Sequence, residues 1–307
     1  MKIAVMGAGG IGGYLGGRLA EAGEDVHLVA RGSHLAAIRE SGLRIESAHG
    51  DAVLTDIHAT AEPAEIGPVD VILFTVRLGD VDQAARSLKP MVTADTKVVT
   101  LQNGVESKDI LGRHVDPAQI AAGVIYLPAF IKAPGIIFNP GGVRRMIVDR
   151  MGGDTVMAAF FAACERAVGI DAEPTDDADK TVWAKFIDLT AFSGATSIAR
   201  APIGVVREHP ETLAFLRLLL REAIAVARAA GQDFDDAHAD RTIDFFMTLP
   251  HEQKSSMLVA LEAGRPLELP WLSGKVRALG MEFGIPTPAS DAVVAALAAY
   301  VDGPPEA

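Results

Sequence analysis

The apolar positions in the first third of the chain fall into short runs that predict buried parallel strands. Ile3–Met6, Val69–Val76 and Lys97–Leu101 are apolar and β-branched with little alternation of polar positions, as expected of strands covered on both faces. Asp25–Ala30 is a further candidate strand, and Asp82–Leu88 has helical spacing. This order of elements predicts a doubly wound α/β sheet.

The pattern of apolar and polar residues changes from Ala121 onward. Ala121–Val148 consists of apolar runs separated by Pro and Gly, which predicts strands that continue the sheet in antiparallel fashion. Leu43–Glu46 and Ala52–Ile57 predict a hairpin across the intervening His-Gly-Asp turn. Thr155–Val168 predicts a helix, followed by a short segment at 170–172.

After Asp176 the pattern is helical, with breaks at 201–204, at Gly231 and at 284–288. We therefore predict two domains, residues 1–176 with the sheet and residues 177–307 built of helices alone. The predicted helices are Ala178–Ala199, Thr212–Ala230, Asp240–Phe246, Ser255–Glu262, Trp271–Phe283 and Ala289–Val301.

Composition narrows the function classes. A 307-residue chain with 49% hydrophobic residues is long enough for two domains with a sizeable core. The formal net charge of −12 argues against nucleic acid or an anionic membrane as a partner. Cys164 is the single cysteine, so an intrachain disulfide and a cysteine-based zinc cluster are both excluded. No run approaches the length of a membrane span, and we expect a cytoplasmic protein.

The first candidate site is a glycine-rich loop of spacing G-x-G-x-x-G, which follows the first strand and precedes a helical pattern. In such a loop the first glycine makes the turn, the second lets the backbone approach a pyrophosphate, and the third lets helix and strand pack. A coincidence in a glycine-rich chain is the alternative, but the strand, loop and helix agree on a Rossmann-type dinucleotide site. The predicted cofactor-binding residues are Gly7, Ala8, Gly9, Gly10, Ile11 and Gly12.

The end of the second strand indicates which dinucleotide is bound. An NAD site places a carboxylate there, whereas an arginine suits the 2′-phosphate of NADP. This strand ends at Arg31, so NADP(H) is favoured; an ordinary solvated surface arginine is the alternative. Arg77 and Asn103 also follow strand ends, where ligands of such sheets bind, although a solvated loop and a simple Asn-Gly turn are the alternatives.

Five segments in the same order resemble the ketopantoate reductase (2-dehydropantoate 2-reductase) family over nearly the whole chain. They are "GAGGIG" at 7–12, "LQNGVE" at 101–106, "TVWAKF" at 181–186, "KSSMLVALEAGRPLELPWLSG" at 254–274 and "GIPTP" at 284–288. The resemblance implies an NADPH domain followed by a helical substrate domain, a small 2-oxo acid substrate, and a homodimer acting in pantothenate biosynthesis.

The resemblance also implies residue roles. Lys185 matches the general acid of W-x-K, Glu268 the glutamate that binds the substrate hydroxyl, and Ser256 the second serine of S-S-M, which contacts the substrate. Asn103 matches the asparagine beside cofactor and substrate, and Arg31 and Arg77 match basic residues near the adenosine phosphate, where lysine is common at the latter position. A lysine supplies both a proton and a positive charge to a developing alkoxide, and burial would lower its pKa while a nearby glutamate opposes that shift.

Three positions depart from the family pattern. Family members usually carry asparagine four and eight residues after the lysine, where this chain has Leu189 and Ser193. They also usually carry asparagine before the glycine of the later "xNG", where this chain has Ser273. We expect Ser193 to contact the substrate in a more apolar pocket. Ketopantoate is the first candidate substrate, with two alternatives: another small 2-oxo acid, or a non-enzymatic NADP(H)-binding sensor. Asp188 receives no assigned role from the sequence.

Overall fold

The computed structural model describes residues 1–305, which fall into two compact units, Met1–Val182 and a second that begins at Trp183. The predicted boundary after residue 176 lies shortly before this division. In the second unit, the described residues form helices and turns without a strand.

The first unit contains twelve strands. They are β1 (Lys2–Met6), β2 (Asp25–Val29), β3 (Leu43–Ser47), β4 (Ala52–Leu54), β5 (His58–Thr60), β6 (Val71–Phe74), β7 (Lys97–Thr100), β8 (Ile120–Tyr126), β9 (Phe130–Ala133), β10 (Ile136–Asn139), β11 (Arg145–Asp149) and β12 (Asp171–Thr175).

Twelve α-helices lie within residues 1–305. They are α1 (Gly10–Glu21), α2 (Gly32–Ser41), α3 (Val81–Arg86), α4 (Ser107–Leu111), α5 (Thr155–Arg166), α6 (Ala178–Ala199), α7 (Ile203–Glu208), α8 (Pro210–Ala229), α9 (His238–Thr248), α10 (Ser256–Glu262), α11 (Ser273–Phe283) and α12 (Pro288–Leu297).

The main sheet has eight strands in the order β12-β11-β8-β7-β6-β1-β2-β5. The six strands from β8 to β5 run parallel, and only the β11–β8 pair is antiparallel. β6 is buried at every residue, as expected of a strand covered on both faces. The predicted doubly wound α/β sheet is confirmed.

A second sheet of four strands, in the order β4-β3-β10-β9, was not predicted. The expectation that residues 121–148 continue the main sheet in antiparallel fashion is therefore wrong for most of that segment. β8 runs parallel to β7, β9 and β10 leave for the second sheet, and only β11 returns antiparallel. Apolar runs alone do not say which sheet accepts a strand, because that depends on partners distant in sequence.

Other boundaries also differ from the predictions. The β3–β4 hairpin forms, but the predicted strand 52–57 stops at Leu54. The next strand, β5, pairs with β2 in the main sheet. Helix α7 begins at Ile203, inside the predicted break at 201–204, because proline is tolerated just before the first turn of a helix. None of the helices in residues 1–305 is long and apolar enough to cross a bilayer.

Helix α1 packs against both sheets through its small residues. A Cβ at Gly16 would lie 2.8 Å from a methyl of Val5 in the main sheet, and a Cβ at Gly17 would lie 2.6 Å from Ile45 in the second sheet. The helix therefore has a smooth face, which allows sheet side chains to approach its backbone closely. This packing directs the N-terminus of α1 to the carboxyl edge of β1.

A buried carboxylate links α8 to the start of α12 in the second unit. Glu222 on α8 is 8% exposed and accepts hydrogen bonds from the backbone N–H groups of Ala289 (2.6 Å) and Ser290 (2.8 Å) and from the Ser290 hydroxyl (2.7 Å). It thus satisfies N–H groups at the start of α12 that the helix leaves unpaired.

We expect Glu222→Ala to lower the free energy of unfolding of the second unit by about 2–4 kcal/mol, because buried donors lose a charged acceptor. Urea denaturation measures this change. Glu211→Ala on the exposed start of the same helix is the control and should change stability by less than about 0.5 kcal/mol. Equal stability of the two variants would contradict this account of Glu222.

Candidate functional site

Four neighbouring parallel strands, β7, β6, β1 and β2, end at one edge of the main sheet. Met6 pairs with both Val29 and Phe74, and Phe74 pairs with Thr100, so the strand ends lie side by side. Ligands of such sheets bind beyond this edge, where the strand order reverses between β1 and β6. The candidate residues that follow these strand ends are Gly7, Arg31, Arg77 and Asn103.

The glycine loop connects β1 to α1 by a tight turn. Gly7 has a positive φ of 98°, which favours glycine, and its carbonyl accepts a hydrogen bond from the Thr75 hydroxyl at 2.9 Å. Ala8 is buried and donates its N–H to the Val29 carbonyl at 2.9 Å. Gly9 is the N-cap of α1, so Gly10, Ile11 and Gly12 form its first turn with N–H groups that have no helical acceptor.

The glycines of the loop are required for different reasons. A Cβ at Gly10 would lie 2.2 Å from the carbonyl oxygen of Ala129, and one at Gly12 would lie 2.3 Å from that of Gly7. A Cβ at Gly9 would meet nothing within 4 Å. Packing therefore explains Gly10 and Gly12, whereas Gly9 borders open space in front of the helix N-terminus. Such N–H groups bind anions, so this is where a pyrophosphate would be expected.

The start of α2 has the features of a second anion site. Arg31 is the exposed N-cap of this ten-residue helix, whose first turn contains no acidic residue. Gly32 follows with a φ of 59° and open space where a Cβ would lie, and Ser33 is exposed. A guanidinium, a hydroxyl and a helix N-terminus together suit a phosphate group.

A glutamine without a predicted role connects two of the strand ends. Gln102 is 8% exposed, and its amide donates to the carbonyls of Phe74 (2.8 Å) and Val76 (3.2 Å) while the Thr100 hydroxyl donates to it. It thereby joins the segment that leads to exposed Arg77 with the segment that leads to half-buried Asn103. In the sequence, the signal that could have identified Gln102 was a polar residue directly after a predicted buried strand.

In the second unit, Lys185 is a buried cation on α6, with 8% of its surface exposed. Burial lowers the pKa of its ammonium group from 10.5 to about 8, and the charge of Glu268 opposes that shift. Glu268 lies half-buried at the start of a short helical turn, 269–271. Burial lowers this pKa and Glu268 opposes the shift, as the sequence predicted. Lys185 is therefore not an exposed helix lysine, although exposure is usual for this residue type.

The two serines at the start of α10 have different environments. Ser255 is 1% exposed, caps α10 by accepting the N–H of Leu258 at 3.1 Å, and hydrogen-bonds to the Thr196 hydroxyl of α6 at 2.8 Å. Ser256 is exposed in the first turn. Ser255 is therefore occupied by packing α10 on α6, which leaves Ser256 as the serine accessible to a ligand.

The positions that depart from the family pattern differ in burial. Leu189 is half-buried one turn after Lys185, whereas Ser193 and Ser273 are fully buried. Among the described residues, neither serine hydroxyl has a hydrogen-bond partner. Buried polar groups are normally paired, so a polar ligand or water is the expected partner of Ser193.

Asp188 has a structural role that the sequence did not reveal. Its carboxylate accepts a hydrogen bond from the Thr242 hydroxyl of α9 at 2.8 Å and lies 3.6 Å from Nε2 of His238. The residue connects α6 to α9 and thereby helps to orient the helix that carries Lys185.

Comparison with known proteins gives matches over both units. A family model described as ketopantoate reductase PanE/ApbA matches residues 3–150, and one described as ketopantoate reductase PanE/ApbA C terminal matches residues 177–301. A protein of Mesorhizobium japonicum named 2-dehydropantoate 2-reductase is 30% identical over 96% of each chain.

Two solved structures extend the comparison to the fold. A PanE/ApbA family ketopantoate reductase from Ralstonia eutropha is 33% identical and covers 98% of each chain with a TM-score of 0.88. A D-mandelate dehydrogenase solved with NADH and anilino(oxo)acetate has a TM-score of 0.86 over 98% of each chain but is only 20% identical. The second likeness concerns the fold alone.

We expect Gly9→Ala and Gly10→Ala to separate ligand binding from packing. Gly10→Ala should lower the Tm, because its Cβ would overlap the backbone of Ala129. Gly9→Ala should keep the wild-type Tm and weaken NADPH binding at least tenfold, because its methyl would occupy the space in front of the helix N-terminus. Thermal unfolding and fluorescence titration measure the two effects; wild-type NADPH affinity in Gly9→Ala would contradict a pyrophosphate site there.

Proposed function

This chain belongs to the ketopantoate reductase family, and from that premise we propose that it reduces ketopantoate to pantoate with NADPH. The observation that carries the proposal is the buried Lys185, with a pKa of about 8 and a glutamate charge acting on it. A cation buried in this way is costly unless it has a partner or a function.

The cofactor we propose is NADP(H) rather than NAD(H). Support comes from the open space at Gly9, the exposed Arg31 and the free helix N-terminus that begins at Gly32. The Rossmann-type carboxylate that would accept a ribose 2′-hydroxyl is replaced by Arg31 at the end of β2. Bound there, the reduced nicotinamide supplies a hydride to the 2-oxo carbon of the substrate.

Lys185 provides the matching proton. As the carbonyl carbon gains the hydride, its oxygen becomes an alkoxide, and the Lys185 ammonium donates a proton to that oxygen and becomes a neutral amine. A pKa of about 8 lets the group be mostly protonated at neutral pH and still release its proton readily. Solvent then returns the proton to the amine.

The other site residues recognise the substrate. Glu268 accepts a hydrogen bond from the substrate hydroxyl, and the accessible Ser256 and the buried Ser193 offer hydroxyls to its polar groups. Asn103 offers an amide beside cofactor and substrate, and Gln102 holds the backbone that carries it. Arg77 supplies positive charge for the adenosine phosphate.

A different small 2-oxo acid is the second candidate substrate. Leu189 lies half-buried one helical turn from Lys185, so it presents an apolar side chain where an amide is usual in the family. An unpaired polar group of a substrate would lose about 1–3 kcal/mol of binding there. A less hydroxylated or bulkier 2-oxo acid avoids that loss.

Initial rates of NADPH oxidation with ketopantoate and a panel of other 2-oxo acids test the proposal. A kcat/KM for ketopantoate well above the rest supports ketopantoate reduction. Preference for an apolar 2-oxo acid, reversed by Leu189→Asn, would favour the second candidate. NADPH binding without turnover of any carbonyl would favour a non-enzymatic sensor. Light scattering in the same buffer checks the proposed homodimer.

We expect Lys185→Met, which keeps the aliphatic stem, to lower kcat at least about 100-fold while the Kd for NADPH stays within about twofold. In the wild type, kcat should fall as the pH rises above about 8, because the folded protein loses the ammonium proton there. Stopped-flow rates across pH measure both. A variant that turns over like wild type would remove Lys185 from the mechanism.

We expect Arg31→Ala to raise the Kd for NADPH at least about tenfold, since it loses a charge-assisted contact to the 2′-phosphate. The Kd for NADH should change by less than about twofold. Arg39→Ala on the same helix removes an equal charge from an exposed arginine that pairs with Glu65, and it is the matched control. Equal increases in the Kd for NADPH and the Kd for NADH would mean that another residue binds the 2′-phosphate.

A further inference from the structure

His34 is a buried residue in the first turn of α2, three positions after Arg31. The backbone N–H of Gly135, in the turn between β9 and β10, donates a hydrogen bond to its Nδ1 at 3.0 Å. A backbone N–H can only donate, so Nδ1 must be unprotonated and Nε2 must carry the proton of the neutral ring.

Gly135 is held on both sides of this hydrogen bond. Its φ is 75°, and a Cβ on it would lie 3.1 Å from the Cβ of Ala37 on α2. Its carbonyl accepts the N–H of Arg44 in β3 at 2.9 Å. The bond to His34 therefore ties the second sheet, at a turn with little freedom to move, to α2.

The same ring reaches the glycine loop. The Ala8 backbone interacts with the imidazole and favours its protonated form, while the Ala8 N–H is bonded to the Val29 carbonyl. His34 thus lies beside the loop that begins α1 and is hydrogen-bonded to the turn of the second sheet, while its buried Nε2 has no hydrogen-bond partner among the described residues.

The second sheet touches the glycine loop at another point as well. The backbone of Ala129 and Phe130 packs directly on Gly10. Asn139 in β10 donates to the carbonyl of Pro128 at 2.7 Å, which holds this segment in place. The second sheet therefore contacts the loop directly at Gly10 and indirectly through His34.

We propose that neutral His34 is a positioning residue that holds the nucleotide loop against the second sheet, with Nδ1 accepting from Gly135. This inference rests on the proposed cofactor site, because the loop it holds is the one that would bind the pyrophosphate. A proton on Nδ1 would break the bond to Gly135 and so detach the ring, and the loop beside it, from the second sheet.

We therefore expect a fall in pH to affect the loop by protonating the His34 ring. Burial lowers the pKa of His34 below 6.5, and the Ala8 backbone opposes that shift. The glycine loop and the turn at Gly135 carry no titratable side chain. The charged side chains on the adjacent elements are Arg31, Arg39 and Glu40 on α2, Arg44 and Glu46 on β3, and Lys132 on β9. Arg39 pairs with Glu65, and both Arg44 and Lys132 pair with Glu46.

Two substitutions separate positioning from mere packing. His34→Asn places an amide oxygen near the position of Nδ1 and keeps an acceptor for Gly135, whereas His34→Leu keeps apolar bulk without an acceptor. His58→Asn, at an exposed histidine of β5, is the control for the loss of an imidazole.

In cofactor-free protein, we expect His34→Leu to speed hydrogen exchange at the amides of Ala8–Gly10 and Gly135, and His34→Asn to exchange like wild type. His34→Leu should also raise the Kd for NADPH and NADH alike by about tenfold, the value of one buried hydrogen bond, with kcat at saturating cofactor unchanged. In wild type the Kd for NADH should rise as the pH falls below 6.5, and in His34→Asn this rise should be absent.

Wild-type exchange in His34→Leu, or equal acceleration in both variants, would overturn the inference. So would the same pH dependence of the NADH Kd in wild type and His34→Asn. The exchange experiment decides the role of His34 without any cofactor, whereas a wild-type protein that binds neither NADPH nor NADH would overturn the proposed function instead.

Discussion

The pairing of β1 between β2 and β6 determines where the proposed ligand-binding groups of the first unit can lie. Because Met6 is level with both Val29 and Phe74, the loops that follow the three strands begin at the same height above the sheet. A shift of one residue in either register would turn the buried side chains of a strand to its opposite face. The glycine loop, Arg31 and Arg77 depend on this alignment, since each begins within three residues of the end of one of these strands.

The glycine loop then depends on contacts from several directions. Thr75 binds the Gly7 carbonyl, Val29 accepts the Ala8 N–H, and the backbone after Pro128 packs on Gly10. Such contacts preorganise the N–H groups at the start of α1, so little ordering would remain to be done if an anion bound there, as we propose. The second sheet, which carries no predicted site residue, thus contributes by packing on the loop.

In the second unit the corresponding constraint is the burial of one charge. Lys185 is removed from solvent, which disfavours its ammonium form, and Glu268 partly restores it. When burial and a nearby opposite charge oppose each other in this way, the pKa of the group lies close to neutrality. The group then changes protonation with little cost, as acid–base catalysis requires. Asp188 and Ser255 contribute indirectly, because they fasten α6 to α9 and to α10.

The sequence by itself determined the local features: the strand–loop–helix that carries G-x-G-x-x-G, the arginine at the end of β2, and most of the helices of the second unit. These follow from periodicity and backbone preference, which act over a few residues. The residue roles came from resemblance, and they stay predictions.

Only the tertiary structure decided that residues 130–139 join a separate sheet with β3, that Ser255 is used in packing while Ser256 is exposed, and that Asp188 faces α9. It also decided the roles of Gln102 and His34, whose partners lie 26–28 and 101 positions away. Strand partners, burial and pKa shifts depend on residues distant in sequence, so no local pattern could determine them.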